Sequence, residues 1–178
     1  MSFTNPAGPD AVAGAAGYVQ ALLEILGDRD PIEVMAELPS WIKERIVALN
    51  DRGLRRPEAP GKWSVIEVVQ HLADSELING YRIRSILDED RPPIRGYDQD
   101  SWSRRFGYAQ VDRDTALAQL EGIRAANLAL YRSLAPRELA REGVHSERGP
   151  ESVGQLIRLL GAHDLVHRRQ IDRILGAA

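Results

Sequence analysis

From Val153 to Ile174 the sequence sets residues at steps of three and four: Val153, Leu156, Leu160, then His163, His167, Gln170 and Ile174. That period marks one face of an α-helix, and so long a stripe has to pack against other helices. The segment starts cleanly, because Ser152 with Gln155 is a capping-box pattern. The stripe turns polar at His163 and His167, one helical turn apart, where leucines would otherwise face a core. Histidines at i and i+4 lie one above the other and can aim their nitrogens at one point. This helix alone leaves two readings open: a pair of metal ligands, or two polar residues sharing a face.

The rest of the chain reads as helical almost throughout, with no alternating apolar and polar run long enough to argue for a sheet. A first helix over about Ala11 to Leu26 carries Val12, Val19, Leu22, Leu23 and Leu26 at helical spacing. Asp30-Pro31 is an N-cap followed by proline in the first turn, opening a short helix through Met35. Pro39 is expected to restart the pattern, with Trp41, Ile42, Ile46 and Leu49 as its stripe. Ser64 with Glu67 is a second capping box and opens a long helix to about Leu87, ended by Arg91-Pro92-Pro93. Residues 89–111 read as an irregular connection. A further helix starts near Asp112 or Asp114 and runs to Pro136, and Gly149-Pro150 ends the loop before the last helix.

Four long striped helices imply an all-α four-helix bundle with an extra N-terminal helical segment. The division expected is residues 1–37 for that extension and 38–178 for the bundle, within a single domain. The loop near residues 51–63 is short and favours antiparallel neighbours. The connection over 89–111 is long enough to cross the bundle, which leaves the helices it joins parallel and gives an up-down-down-up order.

That order permits a check on the histidines. His71 stands in VVQHLADSE, about 10 Å into its helix at 1.5 Å per residue. Measured from the far end of the last helix, His167 and His163 lie about 12 and 18 Å in. If these two helices run antiparallel, the three histidines fall near one level. Three neutral imidazoles suit a divalent metal such as zinc or nickel, with positions left open for water or substrate. His145, in GVHSERG, is expected at the surface.

The chain has no cysteine, so disulfides, thiolate nucleophiles and cysteine-based zinc sites are excluded, and imidazole and carboxylate remain as ligands. A net charge of -3 gives no electrostatic reason to expect nucleic acid. The N-terminus matches neither a signal peptide nor a membrane span, so a cytoplasmic protein without membrane contact is expected. The long helices could also support a homodimer. Among carboxylates, Glu67 is committed to its capping box, Asp74 shares the face of His71 and could orient an imidazole, and Glu76 and Asp164 read as solvated, the latter with Arg168 at i+4. Gln170 is placed to hydrogen-bond His167.

Together, GKWSVIEVVQHLADSE, the YDQDSW segment and HSERGPESVGQLIRLLGAHDLVHRRQI, in that order, resemble the DinB-like superfamily, and within it the YfiT branch of metal-dependent hydrolases. The resemblance covers roughly residues 38–175. It implies an up-down-down-up bundle and a divalent metal, nickel or zinc, held by three histidines. These fall on His71, His163 and His167. It leaves the reaction open: hydrolysis of an unknown small molecule, transfer of a low-molecular-weight thiol as in related families, or a non-catalytic metal-binding bundle. Arg82, Tyr97, Asp98 and Trp102 are candidates for the pocket mouth.

Overall fold

The computed structural model describes residues 11–176. Residues 1–10, which open the expected N-terminal extension, and the side chain of Val12 lie outside the described residues. Five long helices dominate: α1 (Ala11–Leu26), α2 (Pro31–Ile46), α4 (Val65–Asp88), α6 (Arg113–Ser133) and α8 (Val153–Gly176), with short helices α3 (Asp51–Leu54), α5 (Gln99–Arg105) and α7 (Pro136–Leu139) between them. Among the described residues, no helix is long and apolar enough to cross a membrane.

Local chemistry sets the helix starts. Asp30 accepts a hydrogen bond from the Ile32 amide at 2.8 Å and opens α2 with Pro31 in the first turn. The Ser64 amide and hydroxyl both donate to Glu67 Oε2, at 2.8 and 2.6 Å, at the head of α4. Asp112 caps α6 through Thr115, and the Ser152 hydroxyl accepts from the Gln155 amide at 3.1 Å.

Cross-helix contacts fix the order. Glu37 pairs with Arg168 and Arg45 with Asp172, so α2 and α8 run parallel. Glu33 meets Arg132 and Lys43 meets Glu121, so α2 and α6 run antiparallel. Arg173 pairs with Glu58, and Arg56 donates to the Ile174 carbonyl, which sets the end of α8 beside the start of α4. The four-helix bundle of α2, α4, α6 and α8 is therefore up-down-down-up, and α1 packs against the outside of α8. Where α2 crosses α8, Gly161 has no room for a Cβ, which would stand 2.8 Å from Pro31 Cβ. The apolar stripes meet in a core built around Leu38, Ile42, Val68, Leu72, Leu120 and Ile171, and a second cluster around Met35, Ile83, Ile86 and Leu156.

Several expectations fail here. Pro39 does not restart a helix, since α2 runs unbroken through it. A proline inside a helix removes the amide that would reach the carbonyl four residues back. That carbonyl, of Met35, instead accepts from Arg124 Nη1 of α6 at 2.6 Å, so a side chain replaces the missing backbone donor. The chain also contains a small sheet, in order β1 (Pro93–Ile94), β2 (Glu142–His145) and β3 (Gly149–Ser152). β1 pairs parallel with β2, and β2 and β3 form an antiparallel hairpin. Gly149-Pro150 therefore opens a strand instead of ending a loop. The strands are too short for any alternation to register in sequence, and β1 joins its neighbour across about fifty residues. Residues 89–111 are likewise structured, by β1, α5 and a 3-10 turn at Tyr108–Gln110.

Candidate metal centre

The antiparallel pairing of α4 and α8 brings His71, His163 and His167 together. His163 Nε2 lies 3.0 Å from His71 Nε2 and 3.1 Å from His167 Nε2. His71 and His167 are buried and His163 is half-buried, and the Trp63 ring covers His71 at 4.9 Å between centroids.

The donor set itself tests whether a metal fits. Gln170 Oε1 can only accept, so His167 Nδ1 carries the proton and donates at 2.8 Å, as its place on the stripe predicts. The Nε2 of His167 then holds a bare lone pair. A single proton on His163 Nε2 can be given to only one of its two neighbours, so three converging nitrogens cannot satisfy one another. His71 Nδ1 is also buried without a hydrogen-bond partner. Three imidazoles around a tetrahedral ion at about 2.0–2.1 Å have nitrogens roughly 3.3 Å apart, close to the spacing found here. Burial holds His71 and His163 well below the ordinary imidazole pKa and His167 down to about 4, so all three are neutral at neutral pH, the form that binds metal.

A cavity opens beside His71 and His163, lined by Ser75, Asn79 and Arg82 of α4, Tyr97 of the long connection, Tyr18 of α1 and Arg148 of the β2–β3 turn. Of the expected mouth residues, Arg82 and Tyr97 are there. Asp98 instead caps α5 through the Ser101 amide at 2.9 Å, and Trp102 packs on the far side of Tyr97, 4.7 Å between ring centroids. Burial pushes the Tyr97 hydroxyl up to about 12, so it stays protonated.

The carboxylates depart most from expectation. Asp74 does not orient an imidazole: Gln70 and Gln119 donate to it at 3.1 and 2.9 Å, and the Tyr108 hydroxyl donates to its other oxygen. Glu76 and Asp164, expected in solvent, are each 1% exposed. Arg124 of α6 joins them, donating to Asp164 at 2.6 and 3.1 Å and lying 3.2 Å from Glu76. The helical rotation that carries Asp164 away from the histidines is as read from the sequence. However, α8 is covered by α1, α2 and α4, so the turn leads to another interior face, and Arg168 pairs with Glu37 instead. His145 is also buried, at 3% exposure, and accepts from the Glu147 amide at 3.1 Å. No local signal marks Arg148 as a cavity residue, because the sheet that carries it is invisible to helical periodicity.

Comparison with known proteins agrees with this architecture. Residues 39–171 match the family model of the DinB superfamily. A protein of Oceanobacillus iheyensis, OB0782, is 30% identical over 139 residues, covering 76% of this chain and 80% of that protein. YfiT of Bacillus subtilis is 30% identical over 151 residues, covering 82% and 84%. Both are provisionally named metal-dependent hydrolases. The solved structure of YfiT, described as having an unusual four-helix bundle topology, aligns with a TM-score of 0.74 at 24% identity, over 99% of this chain and 94% of that one. On these grounds the chain belongs to the DinB superfamily, in its YfiT-like branch.

Proposed function

We propose that this protein is a metal-dependent hydrolase of small molecules, holding one divalent ion, nickel or zinc, on His71, His163 and His167. The observation that carries the reading is the convergence of three neutral imidazole nitrogens that have no way of satisfying one another. The names of the relatives support the choice of hydrolysis. When bound, such an ion supplies Lewis acidity and lowers the pKa of water near neutrality. The protein's own part is positional. Gln170 fixes the tautomer of His167, Trp63 and the bundle core keep His71 dry, and the cavity beside His163 admits the substrate from one side.

A second reading, transfer of a low-molecular-weight thiol, is favoured by one feature. The cavity lining contains basic and hydroxyl side chains and no carboxylate among the described residues, so no acidic general base faces the histidines. A thiol activated at the metal would need none.

Metal analysis of untagged protein is the first test, with about one equivalent expected and less than half of one in a His163→Ala/His167→Ala variant. Full metal content in that variant would overturn the site. Turnover of ester and amide panels against thiol-transfer panels then separates the two reactions.

A further inference from the structure

The cavity beside the histidines has a charge pattern that the metal does not explain. Two guanidinium groups, Arg82 and Arg148, line it, and no carboxylate does among the described residues. Arg148 is anchored from behind: it meets Glu151, 1% exposed, with both carboxylate oxygens at 2.6 and 2.9 Å. Arg82 has no carboxylate within ion-pair distance among the described residues. It donates instead to the side-chain oxygen of Asn79 at 3.2 Å and to the Arg95 carbonyl. Burial first, and then the nearby Arg148 charge, lower its pKa, against smaller opposing effects of Tyr97, Glu151 and Glu147.

The small sheet holds the turn that carries Arg148 against the same segment, around Arg95, that Arg82 contacts. The Ser146 amide donates to the Ile94 carbonyl at 2.9 Å, and the Gly96 amide donates to the Ser146 hydroxyl at 3.2 Å. These bonds tie the β2–β3 turn carrying Arg148 to the segment carrying Tyr97. A Cβ at Gly96 would stand 2.8 Å from Glu147 Oε1, so the Glu147 carboxylate packs directly on the backbone there.

We propose that Arg82 and Arg148 form an anion clamp for a carboxylate or phosphate group of the substrate, with Glu151 as the positioning residue for Arg148. Guanidinium groups recognise both anions through paired, directional hydrogen bonds. The proposal deepens the reading above, because the clamped group would belong to the molecule presented to His71, His163 and His167.

The test is calorimetric titration of metal-free protein with sodium phosphate and, separately, sodium succinate, at ionic strength held constant with chloride. Removing the metal keeps the histidine site from contributing, so the clamp and the metal reading fail separately. Saturable binding of one anion is expected, and which one binds identifies the substrate's group. Arg82→Gln should weaken it by roughly tenfold or more. Arg148→Gln leaves Glu151 buried and unpaired and can unfold the protein, so Arg148→Gln/Glu151→Gln is the informative variant, with a similar loss expected. Glu151→Gln alone should weaken binding while native metal content stays unchanged. Absence of saturable binding by either anion, or equal binding in the variants, overturns the clamp.

Discussion

The bundle interior contains two polar clusters a single residue apart on α8, and they behave as opposites. On one side of that helix Asp164 meets Arg124 and, through it, Glu76, with Asn127 donating to Glu76 at 2.9 Å. On the other side stand His163 and His167 with His71. In the first cluster unlike charges face one another. Burial alone would lower the Arg124 pKa, but Asp164 and Glu76 outweigh it and the group is raised, so it stays charged. In the second, three imidazole nitrogens converge and no placement of protons satisfies all of them, the arrangement a bound cation would complete. A polar cluster closed within the chain is architecture, whereas one left open marks a binding site.

Arg124 is the most vulnerable point of the closed cluster. Replacing it with methionine leaves two buried carboxylates unpaired, and a loss of about 3–5 kcal/mol in urea denaturation is expected. Arg124→Met/Glu76→Gln/Asp164→Asn should recover much of that loss. A single variant as stable as the parent would show that the cluster is not closed in the way described.

Metal removal probes the other cluster. Chelation should lower stability by about 4 kcal/mol if the free ion stood at a thousand times its dissociation constant, read as a fall in Tm that added metal reverses. The Arg124→Met variant should lose a similar increment, because its own defect lies elsewhere.

Acidification gives the next effect. The folded pKa of His167, about 4, lies below the ordinary imidazole value of 6.5, so folding excludes a proton. Nothing is lost above about pH 6.5. As pH falls from there to about 4 the unfolded chain gains the proton first, and metal-free protein should lose about 3 kcal/mol from this residue. His71 and His163 act in the same direction. A flat stability profile between pH 7 and 4.5 would contradict burial of neutral imidazoles.

The smallest change is Gln170→Ala. It removes the acceptor for His167 Nδ1, and metal affinity should fall 10- to 100-fold, with folding stability of the metal-free protein altered by less than about 1 kcal/mol. Unchanged affinity by competition with a chelating dye would mean that the tautomer is set by some other group.

Much of this molecule is written locally. The Ser64–Glu67 pair, the Asp30-Pro31 start and the stripe through His163 and His167 all act within one or two helical turns, where sequence neighbours are spatial neighbours. Even the meeting with His71 follows from helix rise once the long connection implies the order of the bundle. What local reasoning misplaces is every polar side chain whose partner comes from another element. Asp164 looks solvated because Arg168 at i+4 offers it a surface partner, and Glu76 because it has no complement at i±4, whereas Arg124, which holds both, is 40 and 48 residues away. His145 and Arg148 are misjudged or missed because the β2–β3 hairpin that carries them is positioned by pairing with Pro93–Ile94.

Periodicity and motif order were enough to place the helices, their caps, the family and the three histidines. Which charges are buried, that Pro39 stays inside a helix, and that two arginines share the cavity with the histidines emerge only from helix packing and strand pairing. The physical reason is that burial of a charge is settled by whichever distant group neutralises it, and that pairing exists only once the helices have packed.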